Sequence, residues 1–288
     1  MRRLFAATVV AAMLAAACSS SGGDSAGSAS ADQPERIVSL SPTATEILFA
    51  IGAGDQVVAV DDQSNFPPEA PTTDLSGFEP NLEAITELDP DLVVASDDLG
   101  GLVDGMEAVD VSVILQPAAV TLDDTYEQIA ELGEVTGNAE EAAELSASMQ
   151  AEIDEITEQV GDAGAGLSYY HELDDLFFSA TSGTFIGQIY GLLGLENIAD
   201  AADDGSGFPQ LSQELIIESD PDLIFLADTV CCGQDAATVA ARPGWESIAA
   251  VTDGGVVELN DDVASRWGPR VVDFLQVVAD AVTARAAS

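Results

Sequence analysis

Residues 81–95 read NLEAITELDPDLVVA, and residues 212–226 read SQELIIESDPDLIFL. Each stretch predicts a short helix, then the motif Asp-Pro-Asp-Leu, then a buried strand of apolar residues. The two copies lie 131 positions apart, as the pair Glu83 and Glu214 shows. A chance match in an acidic chain does not explain why the helix, the Glu and the strand all keep one register. The repeat therefore predicts two halves that are built alike.

The beginnings of the two halves also resemble each other. In the first half, residues 36–40 predict a buried strand, and residues 43–46 match a capping box that starts a helix ending near Ile51. In the second half, residues 167–173 predict a strand and residues 185–193 predict a helix. Alternating strands and helices favour an α/β fold with mainly parallel sheets that helices cover.

A long helical segment separates the halves. Residues 139–160 predict one helix, about 33 Å long at 1.5 Å per residue, which is long enough to bridge two lobes. We expect an N-lobe over about 36–135, this linking helix, and a C-lobe over about 165–288. Because ligands of parallel α/β sheets bind beyond the carboxyl ends of the strands, the expected site is a cleft shared by the two lobes.

The charge balance excludes several classes of protein. The 288 residues include 52 acids and 7 bases, so the formal net charge is −45, and every base is Arg. Such a chain is not suited to bind nucleic acid through its phosphates or anionic lipid through a basic face. Apolar residues make up 47% of the chain, which is typical of a protein with large cores and not of a disordered acidic tail. The acidity also fits a saline habitat, which the sequence does not decide.

The N-terminus has the pattern of an export signal. Residues 1–17 combine two Arg with an apolar run that ends in small residues, and Cys18 follows. This pattern resembles a bacterial lipobox, although Ala15 stands where Leu is more usual. We predict a signal peptide over 1–17, lipid on Cys18 and a flexible Ser- and Gly-rich tether over 18–35. The alternative is a plain secretory signal with an incidental Cys.

Two further cysteines, Cys231 and Cys232, are adjacent in the chain. Neighbouring Cα atoms lie about 3.8 Å apart, below the usual range for a disulfide. In an oxidising, exported setting a vicinal disulfide is still the favoured state. A thiolate metal site is a weaker alternative, since two ligands do not complete a shell. A redox sensor that uses the pair is a further hypothesis.

Several motifs occur together in a characteristic order. They are the Cys18 signal, RIVSLSPTATE over 36–46, FPP over 66–68, NLE over 81–83, the two Asp-Pro-Asp-Leu strands, and PQLSQE over 209–214. Together they resemble the iron-chelate/cobalamin class of ABC-transporter substrate-binding proteins, over nearly the whole chain after the tether. The resemblance implies the class III architecture: two α/β lobes, a rigid connecting helix and little hinge closure.

The resemblance also implies a function. It predicts a monomer, lipid-anchored to the outer face of the bacterial cell membrane, that captures a metal chelate and delivers it to an ABC permease dimer with its ATPase. It implies neither an enzyme nor a resident cofactor. By position in the motifs, Glu83 and Glu214 are the residues that would dock into Arg pockets of the permease. The alternative for both is an ordinary solvated helix acid.

Candidate ligand contacts follow predicted strands or lie in the loop before the last helix. They are Gln63, Phe78, Tyr170, His171, Phe208, Asp262, Arg266 and Trp267. Arg266 and Trp267 place a fork-shaped donor set beside a large aromatic, which suits a chelate with carbonyl or carboxylate edges. The alternative is that Arg266 and Arg270 pair with surface acids, and Arg270 is predicted to be structural.

The candidate residues argue against two classes of cargo and leave three others open. His171 is the only His, so a bare transition-metal ion, which needs several His ligands, is not expected. Ferric catecholates are highly anionic and need several bases, of which few are present. Cobalamin, a hydroxamate siderophore held by Arg266 with Tyr170, and haem held by Tyr169, Tyr170 or His171 stay open.

An enzyme is the main alternative class, because two-lobed α/β folds also host metal-cluster chemistry. Such a cluster needs spaced Cys ligands, whereas only Cys231 and Cys232 remain after the tether. After the tether, the sequence contains neither a Gly-x-Ser-x-Gly motif nor a phosphate-binding loop. Catalysis is therefore not expected.

Overall fold

A computed structural model describes residues 33–287. The predicted signal peptide, Cys18 and nearly all of the tether lie outside the described residues. Within the described range, no helix combines the length and the apolar character that a membrane span requires.

Eight short strands among residues 33–287 form two separate four-stranded sheets. The first sheet contains β1 (Ile37–Leu40), β2 (Val57–Val60), β3 (Leu92–Ala95) and β4 (Ser112–Leu115), in the order β2-β1-β3-β4. The second contains β5 (Ser168–Glu172), β6 (Glu196–Asn197), β7 (Leu223–Leu226) and β8 (Val256–Glu258), in the order β6-β5-β7-β8. All pairings are parallel. The second sheet thus repeats the strand order of the first, and the expected parallel α/β fold is confirmed.

In the described part of the chain, twelve α-helices surround and join the sheets. Those up to the linking helix are α1 (Pro42–Ala50), α2 (Leu82–Thr86), α3 (Leu102–Glu107), α4 (Leu122–Thr136) and α5 (Ala139–Val160). The later ones are α6 (Phe185–Gly191), α7 (Gln213–Ser219), α8 (Thr229–Cys232), α9 (Ala236–Ala240), α10 (Ala249–Thr252), α11 (Asp261–Ser265) and α12 (Val271–Ala286). Short 3₁₀ turns lie at Gly54–Gln56, Gly161–Gly164, Ile198–Ala202 and Trp245–Ser247.

The second Asp of each repeat fastens the first strand of its own sheet. The Asp91 carboxylate accepts hydrogen bonds from the backbone N–H groups of Glu35 and Arg36, at 2.9 and 3.0 Å. In the other half, the Asp222 carboxylate accepts one from Ser168 N–H at 2.9 Å. Each Asp therefore holds the beginning of the strand next to its own, which explains why the motif precedes a central strand in both halves.

The first Asp of each repeat turns the chain between helix and strand. Asp89 and Asp220 have φ angles of 51° and 46°, in the left-handed region that Asp tolerates better than most residues. Each of them follows a short helix, α2 or α7, and is followed by a buried Pro. The two copies of the motif thus share a backbone conformation as well as a sequence.

The start of α1 differs from the predicted capping box over 43–46. Ser41 is the N-cap, its side-chain oxygen accepts a hydrogen bond from Ala44 N–H at 3.3 Å, and Pro42 opens the helix. Pro fits this first position because its missing N–H and fixed φ cost nothing there. Glu46 is therefore free of any capping role, and its side chain is buried.

One hydrophobic core runs through both lobes by way of the linking helix. Along α5 the buried side chains Met149, Ile153 and Ile156 recur at helical spacing, and they share a cluster with residues of both sheets. Helix α5 packs on α4 on one side and on α12 on the other. Because such a core is close-packed, the lobes are held together by more than a flexible hinge.

Candidate functional site

A cavity of 640 Å³ lies between the two lobes. Residues 118–120, which follow β4, form one wall. The other wall belongs to the second lobe and consists of Thr181, residues 183–186, Asp203 and residues 205–208. Trp267, from the segment before α12, also lines the cavity, as does Phe208. Most of its surface is apolar, and its only charged lining residue in the described chain is Asp203. Such a site suits an organic molecule held largely by its faces.

Hydrogen bonds from the first lobe orient the aromatic wall. The indole Nε1–H of Trp267 donates to Gln128 Oε1 on α4 at 2.9 Å. The amide nitrogen of the same Gln128 donates to the carbonyl of Pro117 at 2.7 Å, just before the opposite wall. Gln128 therefore fixes both sides of the cavity, although the sequence analysis did not single it out.

Next to the cavity, Arg266 joins the two lobes. Its Nη1 donates to Glu46 Oε1 at 2.8 Å and to Asn65 Oδ1 at 3.1 Å, both in the first lobe. Its Nη2 donates to the carbonyl oxygen of Gln63 and to Asp262, each at 2.8 Å. We call Arg266, Arg270, Glu46, Asn65 and Asp262 the interlobe clasp.

Glu46 is the acid at the centre of the interlobe clasp. Its side chain is 1% exposed and also accepts two hydrogen bonds from Arg270, at 2.9 and 2.5 Å. The carboxylate beside Arg270 raises the pKa of that guanidinium. The Arg270 guanidinium also lies 4.3 Å from the ring centre of Phe66, which is a cation–π contact.

The predicted ligand contact of Arg266 is not supported by this geometry. All four N–H bonds of its two terminal nitrogens point at protein acceptors, and the side chain is 9% exposed. Asp262 is likewise occupied, because it also accepts from Asn65 at 2.7 Å. The alternative of pairing with acids is therefore what the structure shows, and it applies to Arg270 as well.

Tyr170 and His171 do not face the cavity, which corrects two further predictions. Both side chains are 0% exposed, because β5 is an inner strand covered on both faces. Tyr170 packs edge-on against Trp245, with ring centres 6.3 Å apart, and burial raises the pKa of its hydroxyl. His171 Nδ1 is hydrogen-bonded to the Tyr190 hydroxyl at 2.8 Å, and burial lowers its pKa to about 3, so the imidazole is neutral.

The remaining candidates lie at different distances from the cavity. Phe208 lines it directly and is 47% exposed. Phe78 is 76% exposed in the loop before α2, where the neighbouring Gly77 approaches the carbonyl oxygen of Leu40 at the end of β1. The side chain of Gln63 is exposed, and its contribution to the site is the carbonyl oxygen that Arg266 contacts.

The second lobe contains a separate cluster of buried charges. Arg242 donates to both carboxylate oxygens of Glu172, at 2.6 Å each, and its guanidinium lies 4.6 Å from the ring centre of Trp245. Asp228 is 0% exposed beside this pair, and burial, reinforced by the nearby Glu172 charge, raises its pKa to about 7. None of these side chains lines the cavity.

Every Arg in the described range is engaged within the protein. Arg36 donates to the carbonyl oxygens of Leu88 and Asp89, and Arg285 pairs with Asp222 and Asp253. The other three are Arg242, Arg266 and Arg270, whose partners are given above. Since Lys is absent from the sequence, no basic side chain of residues 33–287 lines the cavity.

Glu83 and Glu214 occupy equivalent positions on the two lobes. Each is the second residue of its helix, after the N-caps Asn81 and Ser212, and each is exposed. The structure also joins Cys231 and Cys232 in a disulfide, with both residues exposed.

Some residues of the site could have been found from local sequence features in addition to those given above. Residues 118–120 follow β4, and recognising SVIL over 112–115 as a strand would have placed them at the cleft. Glu46 is the single acid in the apolar helix PTATEILFA, in a chain with few Arg to pair with it. Thr181 and Thr184 had no such signal, because their place in the cavity depends on how residues 178–184 fold across the lobe.

Two parallel α/β lobes, fastened by a helix and a buried clasp around an apolar cavity, define a two-lobed solute-binding protein. The family model "Periplasmic binding protein" matches residues 37–263. A cobalamin-binding protein of Halobacterium salinarum is 32% identical over 260 residues, which cover 86% of this chain and 69% of that protein. An ABC transporter substrate-binding lipoprotein of Bacillus subtilis, YvrC, is 29% identical over 87% of this chain and 80% of its own length.

A solved structure agrees with these relatives. The periplasmic heme-binding protein RhuT from Roseiflexus sp. RS-1 superposes with a TM-score of 0.77 and 25% identity, over 88% of this chain and 99% of that chain. The chain therefore belongs to the periplasmic binding protein family. It is an extracytoplasmic substrate-binding protein and not an enzyme.

Proposed function

We propose that this protein is a lipid-anchored binding protein that captures a cobalamin-type metal chelate and delivers it to an ABC permease. The observation that carries the choice of cargo is the cavity between the lobes. Among the described residues, its lining offers the aromatic faces of Trp267 and Phe208, several hydroxyl groups and no base. A large, weakly charged chelate with an amide-bearing rim is the metal complex that suits such a surface.

Ferric siderophores fit this cavity less well. A ferric catecholate carries several negative charges, and burying them without a paired base costs free energy. The part of the lining that the structure describes contains no Arg, and the carboxylate of Asp203 would repel an anionic complex. A hydroxamate complex held by Arg266 and Tyr170 is disfavoured too, since Arg266 is committed to the interlobe clasp and Tyr170 is buried.

Haem also lacks a partner in the cavity. Iron in haem proteins is held by an axial His, Tyr, Met or Cys. Among the described residues that line the cavity there is none of these four types. Tyr169, Tyr170 and His171, the candidates from the sequence, are all at most 1% exposed. The cobalamin-binding relative from Halobacterium salinarum supports the same choice of cargo.

Anchoring and delivery are supported by two features of the chain, its N-terminal signal and a pair of exposed acids. The signal over 1–17 with Cys18 supports lipid anchoring, and the Bacillus subtilis relative is a lipoprotein. Glu83 and Glu214 are exposed at equivalent points of the two lobes, so one permease dimer could meet both with equivalent pockets. We therefore assign them the docking of the loaded protein on the permease.

A calorimetric titration of the purified protein with four probes tests the cargo. The probes are cyanocobalamin, a ferric trihydroxamate, a ferric tricatecholate and haem. We expect one site for cyanocobalamin, with a dissociation constant on the order of micromolar or tighter, or about −8 kcal/mol. The ferric tricatecholate is expected to bind at least about tenfold more weakly, because no base faces its charge.

The same titration can contradict the cargo in two ways. Tighter binding of the tricatecholate or of haem would overturn the proposal of a cobalamin-type ligand. Absence of heat with all four probes would also overturn it, while leaving the family membership untouched. Bovine serum albumin at the same concentration is the control for nonspecific binding of the hydrophobic probes.

A further inference from the structure

The disulfide between Cys231 and Cys232 lies in an exposed helix of one turn at the end of β7. Helix α8 spans Thr229–Cys232, and both Cys residues are exposed, as is Val230. Exposed disulfides are accessible to attack by a thiolate, whereas structural ones are usually buried. The bond joins sequence neighbours, so it closes no loop of the chain and adds little to overall stability. The position of this disulfide is therefore more typical of a bond that is reduced and reoxidised than of one that stabilises the fold.

The backbone of α8 is held by a carboxylate from another helix. Asp261, the first residue of α11, accepts hydrogen bonds from the N–H groups of Thr229 at 2.9 Å, Val230 at 3.0 Å and Cys231 at 2.7 Å. Asp228, the N-cap of α8 by position, makes no side-chain cap. The conformation of the disulfide-bonded residues is thus linked directly to the start of α11.

Helix α11 leads in one turn from Asp261 to the interlobe clasp. Its second residue, Asp262, accepts hydrogen bonds from Asn65 of the first lobe and from Arg266. Arg266 is the C-cap of the same helix and contacts Glu46. The five-residue helix α11 therefore connects the N–H groups of α8, bound by Asp261, with the ion pairs of Arg266 that hold the lobes together.

We propose that Cys231 and Cys232 form a redox-modification site whose substrate is an extracytoplasmic dithiol reductant, and whose state controls the order of α11 and the interlobe clasp. A thiolate of the reductant attacks one sulfur and forms a mixed disulfide, while the other sulfur leaves as a thiolate that takes up a proton. The second thiolate of the reductant then attacks the reductant's own sulfur in the mixed disulfide. The protein sulfur that was attacked first leaves as a thiolate and takes up a proton. The protein gains two electrons and two protons, and the dithiol is oxidised to its own disulfide.

Reduction changes α8 because the disulfide restrains the peptide unit between its two residues. A helix of a single turn has few internal hydrogen bonds, so loss of that restraint favours fraying. Cys231 N–H then no longer points at Asp261, and α11 loses part of its anchor. The predicted consequence is faster local opening of residues 261–270, without unfolding of the lobes.

Two measurements on the full chain with dithiothreitol as the probe test this inference. Peptide-resolved thiol labelling, which separates Cys18 from the pair, is expected to find Cys231 and Cys232 free after native treatment with millimolar reductant. Amide hydrogen exchange is expected to become at least about threefold faster over 261–270, because local opening costs less there. Exchange over 139–160, in the linking helix, is expected to stay unchanged.

A variant in which both cysteines are replaced by Ser is the matched control. It is expected to show the fast exchange over 261–270 with and without dithiothreitol. The inference is overturned if the pair resists reduction until the protein is denatured. It is also overturned if exchange over 261–270 is equal in the two redox states, or if exchange rises throughout the chain, which would make the disulfide structural. None of these readouts depends on the identity of the cargo.

Discussion

Replacing Glu46 with Gln is expected to lower the free energy of unfolding by roughly 2–4 kcal/mol. Removing one partner of a buried ion pair typically costs about 3–5 kcal/mol, because a charge is left buried without compensation. Here two guanidinium groups, of Arg266 and Arg270, lose their common acceptor. We lower the estimate because the two Arg side chains are 9% and 17% exposed, so water screens part of the charge.

Urea denaturation of the wild type and of Glu46→Gln measures this effect. The matched control is Glu144→Gln, which removes the same charge from an exposed position of α5 and should change stability by less than about 0.5 kcal/mol. A loss below about 1 kcal/mol in Glu46→Gln would show that the interlobe clasp contributes little to stability. The two lobes would then depend on the apolar core around α5 alone.

Replacing Glu83 and Glu214 together with Ala is expected to abolish most uptake while leaving cargo binding unchanged. Truncating one partner of a buried, hydrogen-bonded charge pair at an interface costs about 2 kcal/mol or more, so transport should fall by roughly tenfold or more. Neither residue lines the cavity, and both are exposed, so the substitutions leave the binding site unchanged. Uptake of labelled cobalamin by cells or proteoliposomes measures the first effect, and calorimetry measures the second.

The chain offers a closely matched control for this double variant. Glu87 and Glu218 are related by the same repeat, are also exposed, and lie four residues further along the chain. Replacing that pair with Ala removes the same net charge near the same helices. Equal loss of uptake in the two double variants would contradict a specific docking role and indicate a general effect of surface charge.

The internal repeat explains why the fold could be predicted from the sequence. The Asp-Pro-Asp-Leu copies have a local physical task, since Asp89 and Asp220 turn the chain and Asp91 and Asp222 hold the adjacent strand. A structural role that requires particular residues at fixed spacing within one short segment produces a recognisable sequence pattern. The linking helix also follows its pattern, and its observed bounds, Ala139–Val160, agree with the predicted ones.

The candidate site could be predicted only in part, because its geometry depends on contacts between distant residues. Trp267 and Phe208 line the cavity, as expected from their positions after strands and before α12. The ion pair of Arg266 was not predictable because its partner Glu46 lies 220 residues away, and the sequence does not show which acid it meets. The burial of His171 was not predictable either, because the sequence does not show which side chains cover the end of β5.

The scarcity of bases has a different meaning in the structure than in the sequence. Five Arg follow the predicted signal peptide, and each is engaged by carboxylates or carbonyl groups within the fold. The cavity lining within residues 33–287 therefore contains no cationic side chain. This is the physical reason for preferring a weakly charged chelate to an anionic one.

A cavity-blocking variant tests most directly whether the cleft between the lobes is where the cargo binds. Ala118 is exposed on the wall of the cavity, and Ala130 is exposed on α4 outside it. Each is replaced with Trp, and cyanocobalamin is titrated into both variants and the wild type by calorimetry. We expect Ala118→Trp to abolish the binding heat and Ala130→Trp to bind as the wild type does. Unchanged binding by a folded Ala118→Trp protein would contradict binding of the cargo in this cleft.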